Sequence, residues 1–393
     1  MTGEAHVPRI MMVVGEPSGD LLGAQIMAAL KRLTGDAVEI TGVGGPVMEA
    51  QGLTSLYSIA DTSVMGFNEV VPKIPKILAR VRQAADYAME TRPDLVVLID
   101  SPDFTHRIGR RLSKRAPDIT VVKYVAPQVW ASRPKRAEKL AEFVDYLLCL
   151  LPFEPPFFES YGLDTRFVGH PVVERVEKGD GAGFRARHGI PAEAPVLAVL
   201  PGSRSNEVRM ILPVFKEAVA LLGGQVDGLQ TVIVTLDHVR DKVVAGKENW
   251  PTPLTIVDQD EKSDAFAAAD TALAASGTVS TELALAKVPM VIAYRLGWFT
   301  YAMFRGLIKV PFISLINLIE KRGVIAELVQ DDCTAPDIAA EAEALLTNEE
   351  AARRQVEGCQ SALVEMGLGD APPSERAAQA LLDIIAEERC SVR

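Results

Sequence analysis

A short apolar run that stops at a Pro-Gly turn constrains this chain most. The run Val196–Leu200 contains only Val, Leu and Ala, and its length suits a strand buried in a parallel sheet. Pro201 and Gly202 end it, and residue types that begin helices follow. A strand, a glycine turn and a helix N-terminus present free backbone N–H groups to one point, so this segment favours an anion site.

The turn after this strand also carries side chains suited to phosphate. Ser203 supplies a hydroxyl, Arg204 supplies a fixed positive fork, and Glu207 lies in the predicted first turn of the helix. The alternative is an ordinary loop with a surface arginine. The order Ser, Arg, Ser after the glycine favours a diphosphate site. No Gly-Lys-Ser/Thr follows, so the segment is not a Walker A loop.

Units of strand, loop and helix recur in both halves of the chain. The class is therefore predicted as α/β, with two doubly wound domains that face a cleft, and 393 residues suit two domains. The predicted boundaries are 1–170 and 171–364, and a C-terminal helix at about 365–393 is compatible with packing back on the first domain. The predicted strands include Arg9–Val14, Val38–Val43, Asp94–Asp100, Ile119–Val125, Tyr146–Leu151, Arg166–Val168, Leu229–Thr235, Leu254–Val257, Thr271–Ala274 and Pro289–Tyr294.

The loop after the first strand is acidic rather than basic. Glu16, Ser18 and Asp20 would suit the hydroxyls of a sugar, and the pattern is not a GxGxxG fingerprint. A helix predicted from Leu21 to about Lys31, capped with Asp20 near its positive end, explains the same residues equally well. Asp100 and Asp103 follow the clearest strand of the first half, where ligands of open α/β sheets bind.

Charge and cysteine usage exclude several classes of protein. The net charge of −11 argues against non-specific nucleic-acid binding. Four cysteines lack metal-ligand spacing and indicate reduced thiols in the cytosol, and the N-terminal segment has no signal-peptide pattern. Asp258 and Asp260 form a DxD pattern, but two charges in a turn are common, so no metal is assigned.

Two stretches are amphipathic or apolar enough to contact a membrane surface. The first carries apolar residues at helical spacing beside several Lys and Arg: Phe67, Val70, Ile74, Ile77 and Leu78. The second, Leu296–Ile319, is interrupted by charges and a proline and is not expected to span a bilayer. The pattern alone favours core-facing helices for both.

Taken in order, the loop motifs resemble those of the lipid-A-disaccharide synthases. The resemblance covers about residues 10 to 330. The motifs are Gly15-Glu16-Pro17-Ser18-Gly19-Asp20, Met65-Gly66, Ile99-Asp100-Ser101-Pro102-Asp103-Phe104, Pro127-Gln128-Val129-Trp130, Leu151-Pro152-Phe153-Glu154, Gly169-His170, Leu200-Pro201-Gly202-Ser203-Arg204 with Glu207, Ala275-Ser276-Gly277-Thr278 with Glu282, Tyr294-Arg295 and Ser314-Leu315-Ile316-Asn317.

This resemblance implies a glycosyltransferase of the two-domain B type. It would join UDP-2,3-diacylglucosamine to 2,3-diacylglucosamine 1-phosphate and release UDP, with no cofactor. The first domain would hold the lipid acceptor and face the membrane, and the second would hold the UDP-sugar. The resemblance also implies a cytoplasmic enzyme peripherally associated with the inner membrane, and it is compatible with a homodimer.

Roles for individual residues follow from this reaction. The α-linked donor gives a β-linked product, so the reaction inverts and needs a base, for which Asp100 is expected and Asp103 is the runner-up. Ser203 and Arg204 would contact the diphosphate, with Arg204 also stabilising the leaving group. The remaining donor-site residues would be Glu207, Ser276, Gly277, Thr278, Glu282 and Asn317.

Three other functions stay open at this stage. An N-acetylglucosamine transferase of peptidoglycan synthesis would share the two-domain plan, but it should lack the motifs around Asp100 and Glu16 in this form. A UDP-sugar 2-epimerase would need no lipid acceptor. A non-catalytic nucleotide-sugar binding module would bind UDP and would not need Asp100.

Overall fold

The computed structural model describes residues 6–62, 67–131, 135–174, 178–275, 279–295 and 310–391. The chain divides into two compact units. The first unit is Met1–Pro171 with Gly369–Arg393, and the second unit is Val172–Leu368.

The first unit is built on six parallel strands in the order β2-β1-β3-β4-β5-β6. The strands are β1 (Arg9–Val13), β2 (Glu39–Val43), β3 (Leu95–Ile99), β4 (Thr120–Tyr124), β5 (Tyr146–Cys149) and β6 (Asp164–Phe167). The helices between them are α1 (Pro17–Thr34), α2 (Pro46–Ala50), α3 (Phe67–Thr91), α4 (Pro102–Arg115), α5 (Arg136–Ala141) and α6 (Glu154–Glu159).

The register of the first sheet places two loops side by side. All five residues of β3 are buried, as expected for a strand covered by helices on both faces. β1 pairs with β3 in parallel, with Val13 opposite Leu98. The loops that follow these two strands therefore leave the same edge of the sheet next to each other.

The second unit repeats this plan with the strand order β12-β11-β10-β7-β8-β9. The strands are β7 (Val196–Leu200), β8 (Gln230–Val234), β9 (Leu254–Val257), β10 (Thr271–Ala274), β11 (Met290–Tyr294) and β12 (Ala326–Val329). The helices are α7 (Gly181–Arg187), α8 (Ser205–Gly223), α9 (Asp237–Ala245), α10 (Lys262–Ala268), α11 (Val279–Leu285), α12 (Leu315–Glu320), α13 (Ala335–Thr347) and α14 (Glu349–Glu365).

Two differences from the sequence prediction have simple causes. Strand β12 was not predicted, because it is an edge strand whose four residues are all half-buried and include Glu327. Helix α1 begins at Pro17, whereas the sequence pattern placed its start at Leu21. Proline is favoured in the first turn because its fixed φ suits the helix and its missing N–H is not needed there.

The last helix, α15 (Pro373–Ser391), belongs to the first unit although it follows the second in sequence. Leu381 and Ile384 are fully buried in the same apolar cluster as the first sheet. Tyr146 donates a hydrogen bond of 2.7 Å to Glu388, which holds the end of the helix against β5. Among the described residues, no helix is both long and apolar enough to cross a membrane.

We expect Leu381→Ala to destabilise the protein by about 2–5 kcal/mol, because it leaves a cavity among buried side chains. Urea denaturation measures the change. Val364→Ala is the matched control, since Val364 is 60% exposed and its truncation should cost little. Equal stability of the two variants would show that α15 is not part of the first unit's core.

Candidate functional site

The two adjacent loops of the first sheet bring together three carboxylates, those of Glu16, Asp100 and Asp103. Glu16 follows β1, whereas Asp100 follows β3 directly and Asp103 lies in the first turn of α4. The Ser18 hydroxyl donates a hydrogen bond of 3.2 Å to Asp100 Oδ2. Burial raises the pKa of Glu16, and the negative charge of Asp100 raises it further. This acidic cluster can accept a proton from a hydroxyl group.

The backbone at Asp100 is held in an unusual conformation. Asp100 has a φ of +47° and Ser101 a φ of +40°, in the left-handed region that residues other than glycine rarely adopt. The Thr105 hydroxyl donates a 2.8 Å hydrogen bond to the Asp100 carbonyl oxygen, which helps to fix the turn. Strain of this kind persists only where the surroundings enforce it, and such positions cluster at functional sites.

A buried lysine below the turn is a candidate functional residue that the sequence analysis did not identify. Lys123 lies on β4 with its side chain buried, and its Nζ donates a hydrogen bond of 2.5 Å to the Asp100 carbonyl oxygen. Burial lowers the pKa of Lys123 to about 7, and the charge of Asp100 opposes that change. The available signal was a lysine in the middle of the otherwise apolar run Ile119–Val125.

Asp20 has a different role from the sugar contact expected of it. Its side chain is buried, and its oxygens accept hydrogen bonds from the backbone N–H groups of Gly45, Val47 and Met48 at 2.8, 2.9 and 3.0 Å. These are the orphan donors at the start of α2, so Asp20 fixes α2 beside α1. The structure thus favours the capping alternative, with α2 as the helix that is capped.

In the second unit, Glu207 organises the turn between β7 and α8. Its Oε2 accepts hydrogen bonds of 3.0 Å from the backbone N–H groups of both Ser203 and Arg204. Gly202 has a φ of +107°, and a Cβ at this position would lie 2.7 Å from the Glu207 side chain. Glu207, predicted as a donor-site residue, therefore holds the loop in place through these two backbone N–H groups.

A cavity of about 450 Å³ opens at this turn. Its lining includes Ser203, Arg204, Glu207 and Glu282, which sequence analysis assigned to the donor site. The Arg204 side chain is 79% exposed, and its Nη1 lies 3.1 Å from Glu207 Oε1. Lys262 Nζ lies 3.0 Å from Glu282 Oε2. The cavity combines two cations with a helix N-terminus, an arrangement that suits a diphosphate.

Of the residues predicted for the donor site, three lie outside the described residues and one lines a different cavity. Ser276, Gly277 and Thr278 lie outside the described residues. Asn317 lines a different cavity, of about 840 Å³, which corrects its expected place beside the diphosphate turn. Its buried amide donates to the Ile325 carbonyl at 2.8 Å and to Glu327 at 2.7 Å, and its oxygen accepts from two backbone N–H groups. These hydrogen bonds hold β12 in place, so the Asn317 side chain is engaged within the protein and is not directed at a ligand.

The DxD pattern, Asp258 and Asp260, is partly paired within the protein. Asp258 forms an ion pair with Arg240, which neutralises one of its two carboxylates. No group of three or more His, Cys, Asp or Glu side chains is placed to hold a metal ion among the residues that the structure describes.

Solved structures with a similar fold include a glycosyltransferase and a UDP-GlcNAc 2-epimerase. The calicheamicin glycosyltransferase CalG4 matches with a TM-score of 0.59 at 18% identity, covering 97% of this chain and 99% of that one. The UDP-GlcNAc 2-epimerase of Neisseria meningitidis, bound to UDP-GlcNAc, matches with a TM-score of 0.59 at 10% identity, covering 96% and 100%. At such low identity the likeness establishes the fold, which is the two-domain α/β fold of B-type glycosyltransferases.

Sequence relatives are more specific. The family model of lipid-A-disaccharide synthetase matches residues 10–381. The lipid-A-disaccharide synthase of Rhodospirillum centenum is 46% identical over 380 residues, which are 96% of this chain and 95% of that protein. That of Paramagnetospirillum magneticum is 46% identical over 382 residues, which are 96% of this chain and 98% of that protein. The chain belongs to the lipid-A-disaccharide synthase family, and it is a glycosyltransferase.

Proposed function

We propose that the chain joins UDP-2,3-diacylglucosamine to 2,3-diacylglucosamine 1-phosphate, giving a β(1→6)-linked disaccharide 1-phosphate and UDP. The observation that carries this proposal is the acidic cluster on the first unit, with Asp100 at the carboxyl end of β3 and in contact with Ser18. The shared name of the relatives supports lipid A disaccharide formation.

In this reaction Asp100 is the general base. Its carboxylate takes the proton of the acceptor 6-hydroxyl while that oxygen bonds to the anomeric carbon of the donor. The bond from the anomeric carbon to the diphosphate breaks, and UDP leaves with the electron pair. Ser18 and the Asp100–Ser101 turn hold the carboxylate in one orientation. Asp103 is exposed at the start of α4 and remains the second candidate.

The donor diphosphate binds at the turn after β7. The N-terminus of α8 and the Arg204 guanidinium offset the charge that develops on the leaving group. Ser203 adds a hydroxyl, and Glu282, paired with Lys262, accepts hydrogen bonds from the ribose hydroxyls. The N-terminus of α8 and Arg204 supply the positive charge that a metal cation would otherwise provide, so we assign neither a metal nor a cofactor.

Helix α3 is the proposed contact with the cytoplasmic face of the inner membrane. Ile74 is 43% exposed, and Leu78 is also exposed. Ile77, which was predicted to contact the membrane, packs against the first unit's core instead and is not part of the proposed surface. Lys76 and Arg80 both pair with Asp61, which reduces the charge they offer to lipid head groups. The side chains of Phe67 and Val70 lie outside the described residues, and the homodimer stays a prediction.

Mass spectrometry of the products tests the proposal directly. The enzyme is incubated with UDP-diacylglucosamine and diacylglucosamine 1-phosphate, and the expected products are the disaccharide 1-phosphate and UDP. Release of free N-acetylmannosamine from UDP-N-acetylglucosamine would indicate an epimerase. Binding of UDP without any turnover would indicate a nucleotide-sugar binding module.

We expect Asp100→Asn to lower kcat by about 10²–10⁴-fold, because a general base acts only in the transition state. Asparagine keeps the size of the side chain and tolerates the left-handed turn. UDP affinity, measured by calorimetry, should not change. Asp103→Asn is the comparison, and a larger loss of kcat in that variant would move the role of base to Asp103.

We expect Arg204→Gln to weaken UDP binding by roughly tenfold, as for a lost hydrogen bond to a charged group, and to lower kcat as well. Isothermal titration and initial rates measure the two effects. Arg209→Gln removes an exposed arginine from the same helix and serves as the control. If both variants bind UDP like the unmodified protein, Arg204 does not contact the diphosphate.

We expect Ile74→Ser with Leu78→Ser to reduce sedimentation with anionic vesicles by roughly tenfold, because two exposed apolar side chains no longer enter the interface. The KM for the lipid acceptor should rise, and UDP affinity should stay the same. Val364→Ser, which changes an exposed residue of the second unit, is the control. A folded double variant with normal vesicle binding would place the membrane contact elsewhere.

A further inference from the structure

A cavity of about 420 Å³ on the first unit lies beside the acidic cluster, and its lining is basic. Helix α4 contributes Arg107 and Arg110, and helix α5 contributes Arg136 and Lys139. Asp103 is the one carboxylate among its lining residues. We refer to this site as the basic cavity, and none of its lining residues belongs to the diphosphate site proposed for the second unit.

Among the residues that the structure describes, no ion pair neutralises the four cations of the basic cavity. No carboxylate of a described residue lies within 4.0 Å of any of these four side chains, although the chain carries a net charge of −11. The ion pairs on α4 are those of Arg111 and Arg115 instead. Arg107 Nε donates to the Asp103 backbone carbonyl at 2.9 Å, and the Arg110 guanidinium lies 4.9 Å from the centre of the Phe143 ring. Both contacts orient a guanidinium and leave its charge uncompensated, which favours binding of an anion.

The spacing along α4 gathers these groups on one face. The groups occupy positions i, i+3, i+4 and i+7 of the helix, which are Asp103, His106, Arg107 and Arg110. They therefore project from the same side of α4. Burial lowers the pKa of His106 to about 3, with help from the charges of Lys123 and Arg110, so its ring is neutral. Its Nε2 is buried and has no hydrogen-bond partner among the described residues. A neutral ring nitrogen therefore adds hydrogen-bonding capacity beside the cations.

We propose that the basic cavity binds the phosphate monoester of the sugar acceptor. This inference rests on the proposed function and adds to it a subsite for the end of the acceptor that does not react. A phosphate monoester carries close to two negative charges and three acceptor oxygens, and guanidinium forks match that geometry. Asp103 connects the basic cavity with the acidic cluster, since it lines the cavity and lies three residues after Asp100. A bound phosphate would therefore orient the acceptor sugar next to the base.

The test compares the acceptor with and without its 1-phosphate group. Unmodified enzyme should prefer the phosphorylated acceptor, and Arg136→Gln with Lys139→Gln should lower kcat/KM for it by about 10- to 100-fold. The acceptor that lacks phosphate should react equally with both enzymes, and UDP affinity should be unchanged. Lys114→Gln removes an exposed cation at the far end of α4, outside the cavity, and should change nothing.

A binding measurement that needs no turnover completes the test. Glucosamine 1-phosphate should bind the unmodified protein in calorimetry, and the double variant should bind it at least tenfold more weakly. If the double variant keeps the preference for phosphorylated acceptor, the proposal is wrong even when disaccharide forms. Loss of sedimentation with anionic phospholipid vesicles, with that preference intact, would assign the cations to membrane head groups and would also overturn it. Absence of disaccharide with any acceptor would instead refute the proposed function.

Discussion

Parallel pairing of β1 with β3 is the constraint on which the candidate acceptor site depends. Because parallel strands end at the same edge of a sheet, the loops that carry Glu16 and Asp100 emerge together although they are far apart in sequence. The same rule operates in the second unit, where β7 pairs with β10 and Leu200 lies opposite Ala274. In each unit, buried strands hold in place the loops that carry Asp100, Ser203 and Arg204.

The net charge of the chain does not show how charges are arranged around the candidate acceptor site of the first unit. A buried ammonium, that of Lys123, supports the backbone of the turn at Asp100 from below. Carboxylates lie at the turn itself, and the cavity next to it is lined by cations that form no ion pair among the described residues. An acceptor with a hydroxyl to deprotonate and a phosphate to hold needs both signs of charge within one sugar's length. The acidic and basic groups on α4 supply them within two helical turns.

Sequence patterns predicted the architecture well because each buried strand is a short apolar run closed by turn residues. Val196–Leu200 and Thr271–Ala274 occur in the structure with the predicted bounds. Edge strand β12 escaped prediction because its residues are only half-buried, which weakens the apolar pattern. Asp20 was ambiguous for a different reason: a carboxylate near a helix start has the same sequence signature whether it caps a neighbouring helix or binds a sugar.

By itself, the sequence determined the fold class and the positions of Ser203 and Arg204 after β7 and of Asp100 after β3, because local order along the chain fixes where a strand stops and a loop begins. Only the tertiary structure decided which polar side chains form hydrogen bonds with the protein's own backbone. Glu207 and Asn317 satisfy buried or constrained N–H groups, and those donors come from packing that no local pattern encodes. Likewise, the lysine under Asp100 acquires its role because β3 and β4 pair, and strand order is a property of the folded sheet.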